Sequence, residues 1–444
     1  MNSETILQVT NSPRHQVLGL YVHVPFCSAI CNYCNFNRGL FDAALKARYV
    51  EALTTEIARA GEAAAEGDEA AFMGCVTTIS DNFVAPPFEV VSTAHPFRTA
   101  NSATSGHPVA PPFRAASGRL AADTIYFGGG TPSLLEPEEI HDIIRACESS
   151  FEVAADREVT LEANPESVSE TRLRGFRDAG VNRLSFGVQS FREDELRRLS
   201  RLHSADRARA ALGEARAAGF DNVSLDLMMW LPGQSVGEWL ESVDHAIALA
   251  PEHLSLYMLE VYPNAPLREE MARARWSQAP DDDAAEMYSE AMARLEAAGL
   301  EQYEISNVAR HGRRSRHNLK YWTDGGWLGF GPGAHSTRGG VRWKNTSSTE
   351  EYIDRVGAGA ALAVDVRRLT WEEQLGDALF TALRLVDGID GNAIQTRYGV
   401  DVWRRYGADL EPFIEAGCLR RDGARLSLTR QGMLVAHEIM SVFV

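Results

Sequence analysis

The chain has 444 residues, 45% hydrophobic and 24% charged, ordinary globular values that exclude a wholly disordered or fibrous protein. Lys and Arg total 44 against 61 Asp and Glu, a net charge of −17 that a phosphate backbone would repel, so no nucleic-acid partner is expected. No apolar run approaches the roughly 18 residues of a transmembrane span, no basic-then-apolar leader opens the chain, and six cysteines cannot form a disulfide scaffold. A reducing, cytoplasmic setting is therefore the expectation.

After a polar tail (1–17), residues 18–24 alternate apolar and β-favouring side chains and predict a strand, which Pro25 stops. Cys27, Cys31 and Cys34 follow at once, in YVHVPFCSAICNYCNF. A structural zinc site wants four ligands in two pairs, and no second C-x2-C pair exists here. Three thiolates on one loop can instead hold three irons of a 4Fe–4S cubane, leaving one iron open and reactive. The loop sits at the C-terminal end of a first strand, where α/β sheets and barrels place their chemistry. Cys75, Cys147 and Cys418 are scattered and read as small buried hydrophobes.

Strand and helix then alternate. Residues 42–64 predict a helix, and 124–127 a strand entering Gly128-Gly129-Gly130-Thr131-Pro132 before a helix at 138–147. Strands at 158–163, 182–188, 222–228 and 253–259 alternate with helices, two of them closed by Gly180 and Gly219. Six such units in order predict an α/β fold, a parallel sheet rolled into a partial (β/α)6 barrel over 18–260. An insertion at about 68–122 interrupts it: residues 81–113 hold 6 of the 18 prolines, repeat Val-Ala-Pro-Pro-Phe, and read as an exposed loop. A barrel extension (261–367) leads into a small winged-helix-like domain (368–444). There Trp371, Leu375, Leu379 and Leu383 stripe a helix, and Asp422-Gly423 marks a hairpin. With six Arg against six acidic residues in 401–444, this wing has no basic face for DNA.

The cysteine loop, IYFGGGTPSLL, LEANPES, NRLSFGVQSF, SLDLMMWLPGQS, QYEISN, and HNLKYW before LGFGPGAHS occur in this order. With these motifs the chain resembles the HemW branch of the radical S-adenosylmethionine (SAM) superfamily, relatives of oxygen-independent coproporphyrinogen III dehydrogenase (HemN). The resemblance spans nearly everything except the Pro-rich insertion. It implies a 4Fe–4S cluster on Cys27, Cys31 and Cys34, whose open iron chelates the amino and carboxylate groups of SAM. In such enzymes one electron from the cluster cleaves the sulfonium and leaves a 5′-deoxyadenosyl radical. The SAM contacts it implies are Tyr21, Gly129, Gly130, Thr131, Glu162, Gln189, Arg201 and Asp226, with Tyr33 placed to pack on adenine. Glu162 and Asp226 end apolar strands and suit an ammonium or ribose hydroxyls, but helix capping or pairing with Arg183 or Arg201 would also explain them. Core packing would equally explain Tyr21.

Within this superfamily two functions compete. The dehydrogenase carries a further cysteine two residues after its third cluster cysteine, where this chain has Phe36, and an N-terminal extension where this chain has about 17 residues. Both departures favour a heme chaperone, which would bind heme and pass it to an unidentified acceptor protein, with an electron donor as a further partner if SAM is cleaved. The alternative is oxidative decarboxylation of coproporphyrinogen III, and a third reading is a scaffold that has lost radical chemistry. His317, in His317-Asn318-Leu319-Lys320-Tyr321-Trp322, is the residue the resemblance implicates in heme binding. A loop histidine beside packed aromatics is the other reading of that segment. His335 in GPGAHS is a second candidate, and His23 reads as a neighbour of the cluster. Five cations in residues 310–320 (Arg310, Arg313, Arg314, Arg316 and Lys320) could attract heme propionates or form a solvated loop.

Overall fold

The computed structural model describes residues 17–66, 119–263 and 265–444. The Pro-rich stretch at 81–113, most of the N-terminal tail and Cys75 lie outside them. Among the described residues no helix is long and apolar enough to cross a membrane.

The first strand, β1 (Leu18–Val24), runs into two short strands, β2 (Phe26–Cys27) and β3 (Gly39–Leu40), which pair across the cysteine loop. The repeating units supply β4 (Ala121–Gly129), β5 (Glu152–Ala163), β6 (Arg183–Gln189), β7 (Val223–Met229) and β8 (His253–Met258), all parallel to one another and to β1. An antiparallel pair, β9 (Glu301–Glu304) and β10 (Asn307–Ala309), extends the β8 edge. Beyond β1, the other edge adds β11 (Trp327–Phe330), β12 (His335–Arg338), β13 (Val341–Asn345) and β14 (Ala363–Arg368). The order is β14-β13-β12-β11-β1-β4-β5-β6-β7-β8-β10-β9. The sheet has two ends, so the barrel is partial.

The expected count of six parallel strands is one short, because β11 pairs in parallel with β1, Leu20 opposite Leu328 and Val22 opposite Phe330. Four residues with a glycine at the third position carry too little period-2 signal to be read as a strand. Strand β4 also starts at Ala121, inside the stretch assigned to the insertion, and β5 starts at Glu152 rather than 158.

Alternation within each parallel strand decides which side chains face the helices. Leu20, Val22, Val24, Ile125, Phe127, Leu161, Leu184, Phe186, Leu225 and Leu227 are buried in one continuous core with the surrounding helices. Ser235 and Glu238 form a capping box on helix Val236–Ala248, and Ser169 and Ser204 cap two others, which fixes where the chain turns from strand to helix. The opposite faces of the same strands carry Tyr21, His23, Tyr126, Glu162, Arg183, Ser185 and Asp226, a polar barrel interior.

After β14, helices Trp371–Ala382, Gly391–Tyr398 and Val402–Glu415 pack with a small sheet. It is ordered β15 (Ile389–Asp390), β17 (Arg425–Leu428), β16 (Leu419–Asp422), a winged-helix-like arrangement. Gly423 turns its hairpin with φ of 58°.

Candidate functional site

The cysteine loop leaves β1 at Pro25 and is tied directly to the glycine loop that ends β4. Gly130 N donates to Val24 O and Thr131 N to Phe26 O, each at 2.7 Å. The glycines are needed for this approach: a Cβ on Gly130 would lie 2.6 Å from Phe26 O, and one on Gly129, whose φ is +109°, would lie 2.7 Å from the His23 ring. Thr131 in turn hydrogen-bonds Cys27, whose thiol pKa is raised by burial and then eased down by that contact. Cys34 closes a turn onto Cys31 O, and burial raises its thiol pKa too. All three thiols are free of disulfides.

Among the described residues no three His, Cys, Asp or Glu side chains converge on one ion. A cubane needs a different arrangement, one thiolate per iron on separate corners, which three spaced cysteines of a single loop suit. Arg201 reaches the same loop from the segment after β6: Nη1 donates to Cys31 Sγ at 3.4 Å, and Nη2 to Asn164 Oδ1 and Gly187 O at 2.6 and 2.8 Å. Asn164 also donates to Thr131 Oγ1 at 3.1 Å, linking the LEANPES segment to the glycine loop. Sequence reasoning passed over Asn164, although its place directly after a strand end was the available signal. Tyr33 packs beside a small apolar group of Leu199, Met228, Leu231, Leu259 and Leu267 under the loop. Burial holds its phenol pKa well up.

Inside the barrel, Tyr126 Oη donates to Glu162 Oε1 at 2.7 Å, and Ser185 Oγ to Asp226 Oδ1 at 3.2 Å. Burial pushes the Glu162 carboxyl up to about 7, with Asp226 adding repulsion, and pushes Asp226 up to about 6 against the pull of Ser255 and Arg183. Arg183, 1% exposed, attracts both carboxylates, and its Nε has no hydrogen-bond partner. Gln189, at φ of 70°, and Arg201 also keep a buried polar atom unpartnered, Oε1 and Nε respectively. Unsatisfied buried donors and acceptors beside a loop of thiols are what a polar cofactor would satisfy. Tyr21 stacks on Tyr126 at 6.2 Å between ring centres and its Oη lies 3.2 Å from His23 Nδ1. Cys27, Cys31, Cys34, Tyr33, Gly129, Gly130, Thr131 and Arg201 thus gather where strands end, with Tyr21, Glu162, Gln189 and Asp226 lining the interior beside them.

His317 lies elsewhere. It sits on helix Arg316–Trp322, which plugs the barrel floor beneath Tyr126, with the two rings stacked at 5.0 Å. Its Nδ1 is 2.8 Å from Thr124 Oγ1 and its Nε2 is 2.9 Å from Tyr321 Oη, and it is 1% exposed. Burial, with Lys320 and Arg183 nearby, holds its pKa down at about 3. Glu158 fixes the start of the helix by accepting from Arg316 N and His317 N at 3.0 and 3.1 Å. In this geometry both ring nitrogens of the expected heme ligand meet hydroxyl groups that hold the floor together. The cation run is likewise occupied. Arg313 pairs with Asp221, Arg314 with Asp387, Arg316 with Asp123 and Asp156, and Lys320 with Asp123. Arg310 Nε donates to Pro251 O.

Residues 113–246 match the radical SAM superfamily and residues 369–435 the HemN C-terminal domain. Among solved structures, the coproporphyrinogen III oxidase HemN of Escherichia coli, described as a radical SAM enzyme, shares the fold. Its TM-score is 0.73 at 22% identity, covering 97% of this chain and 90% of that one. The heme chaperone HemW of Bacillus subtilis is 32% identical over 95% of this chain and 98% of its own length. That of Mycobacterium tuberculosis is 36% identical over 96% and 94%. With similarity at this level running almost end to end, the chain belongs to the HemW family of radical SAM proteins.

Proposed function

We propose that this chain is a heme chaperone: it binds heme and hands it to an acceptor protein, and it carries a 4Fe–4S cluster on Cys27, Cys31 and Cys34 with SAM alongside. The observation that carries the reading is its near end-to-end similarity to relatives named heme chaperones. Phe36 supports it, since an exposed phenyl group stands where a dehydrogenase would carry a further cysteine. Reducing surroundings such as the cytoplasm keep the three thiols available.

When bound and reduced, such a cluster supplies the electron that opens SAM's sulfonium bond. The chain's own residues do the rest. Glu162 and Asp226 present carboxyls to an ammonium or to ribose hydroxyls, and a cation arriving there would draw both pKa values back down. Arg201 steadies Cys31 and offers its remaining N–H, Gln189 offers its amide oxygen, and the glycine loop is packed directly on the cysteine loop. Tyr33 and the apolar group beneath it form a wall against which an aromatic base can lie.

The test is anaerobic reconstitution followed by paired assays on one preparation. Heme binding without consumption of coproporphyrinogen III is expected. SAM-dependent decarboxylation of that substrate would assign the chain to the dehydrogenases instead.

A further inference from the structure

The stretch YVHVPFCSAICNYCNFN ends on an asparagine, Asn37, to which the motifs assign no role. It lies between the third cysteine and β3, and both its side chain and its backbone are engaged. Nδ2 donates to two carbonyls beyond β11, Pro332 O at 2.9 Å and Ser347 O at 3.0 Å. Its own carbonyl lies 2.7 Å from His23 Nε2, and His23 Nδ1 lies 3.2 Å from Tyr21 Oη. Burial lowers the pKa of His23, so the ring is neutral at pH 7 and carries one proton. A carbonyl can only accept, which puts that proton on Nε2 and leaves Nδ1 to accept from the Tyr21 hydroxyl. Hydrogen bonds thus run in series from the β11–β12 turn, through the end of the cysteine loop, to a residue expected to meet SAM.

The turn that Asn37 hangs from is itself held. Glu56, buried on helix Ala43–Glu66, accepts from Gly331 N at 2.9 Å and from Asn345 Nδ2 at 2.6 Å. Asn345 Nδ2 also donates to Gly331 O at 3.0 Å. Gly333 has a φ of +73°, and a Cβ there would run into Asn37 Nδ2, so this seat needs glycine. His23 is pinned as well: its carbonyl accepts from Tyr49 Oη at 2.7 Å, and its ring lies against Gly129. A ring wedged in this way cannot swing after Asn37. A displaced loop end would leave Nε2 without its acceptor and release the tautomer that Tyr21 depends on.

We infer that Asn37 is a positioning residue for the SAM site: by fixing the tautomer of His23 it holds the Tyr21 hydroxyl in the orientation that SAM meets. This rests on the reading of Cys27, Cys31, Cys34 and Tyr21 as a cluster and SAM site. Asn37 acts through His23, so its loss should be felt in SAM affinity and not in cluster content.

The experiment is calorimetric titration of SAM into the anaerobically reconstituted full-length protein, with iron content and melting temperature measured on each preparation. Asn37→Ala should keep its iron yet weaken SAM binding roughly tenfold, within the range by which members of one hydrogen-bond network depend on each other. Gly333→Ala should reproduce that loss by pushing Asn37 off its seat, which tests the same link without altering the cysteine loop. Ser347→Ala keeps the carbonyl that Asn37 uses and should change nothing. In a Tyr21→Phe background the cost of Asn37→Ala should shrink to about twofold or less, because the hydroxyl it orients is gone. A merely structural brace would cost the same in both backgrounds. Wild-type SAM affinity in Asn37→Ala, an undiminished cost beside Tyr21→Phe, or iron loss in Asn37→Ala would each overturn the inference. If the iron-loaded wild type binds no SAM, it is the SAM-site reading that fails.

Discussion

Arg201 donates to Cys31 Sγ at 3.4 Å while its other nitrogen grips Asn164 and Gly187, so one guanidinium joins the cysteine loop to two strand ends. A lysine would keep the charge but not the fork. Arg201→Lys should therefore weaken SAM binding by about 1.5–3 kcal/mol, the range for hydrogen bonds to charged groups, with the iron content held. Calorimetric titration of SAM into the reconstituted variant measures this, and an unchanged affinity would remove Arg201 from the site.

The cluster should depend on the loop cysteines and on no remote thiol. Cys31→Ala should lose most of its iron and broad visible absorbance after anaerobic reconstitution. Cys418→Ala, in the C-terminal domain, should retain both. Equal loss in the two variants would end the cluster assignment.

Glu162 sets a pH dependence whose sign can be worked out. Its folded pKa of about 7 lies above the ordinary 4.5, so the folded state holds a proton that the unfolded chain releases. Stability of the SAM-free protein should then fall as pH rises from about 4.5 to 7, by up to ~1.4 kcal/mol for each step of one in pH. Glu162→Gln, which still accepts from Tyr126, should flatten that slope and melt higher than wild type at pH 8, while binding SAM more weakly. A melting-temperature series across pH checks the first part. A variant with the wild-type slope would show that the carboxyl ionises without cost.

His317→Ala should act on stability. It removes two hydrogen bonds, leaves Thr124 unpartnered in the floor and opens a cavity, together about 2–4 kcal/mol. Denaturant unfolding gives the number. If His317 is the heme ligand that the family resemblance implies, the Soret band should shift as well, and an unmoved band would leave it a purely structural residue.

Replacing Arg313, Arg314 and Arg316 together should leave the salt dependence of hemin binding as it is, since each already faces an aspartate. Their exposed ion pairs should cost stability only about 0–1 kcal/mol apiece. Hemin titrations at low and high salt decide it.

Much of this was legible before the structure. Period-2 strands ending at Pro25, at the glycine run and at Glu162 place the site, because a parallel sheet puts every such end at one mouth. Three things were not legible. β11 is too short to announce itself, yet it makes β1 an interior strand. The glycines of the run read as room for a ligand, while Gly129 and Gly130 are pressed against His23 and the cysteine loop, a tertiary contact with no local signal. Finally, His317 and His335 look alike along the chain. Only their surroundings separate them: both nitrogens of the buried His317 meet hydroxyl groups, while His335 is exposed on β12.

The place of β11 beside β1 bears on how the protein is made. During synthesis β1 receives one of its two neighbours about three hundred residues later, when Trp327–Phe330 emerges. Until then one edge of β1 offers unpaired backbone groups to any passing strand. A nascent or truncated chain ending before 327 carries that open edge, and the cysteine loop hangs from it. Long-range parallel pairing of this kind forms slowly and leaves partly made chains prone to aggregate. Iron delivered during synthesis would meet a loop not yet braced by Asn37 against Pro332, so the proposed cluster would be loaded only after β11 and the strands beyond it have closed on β1.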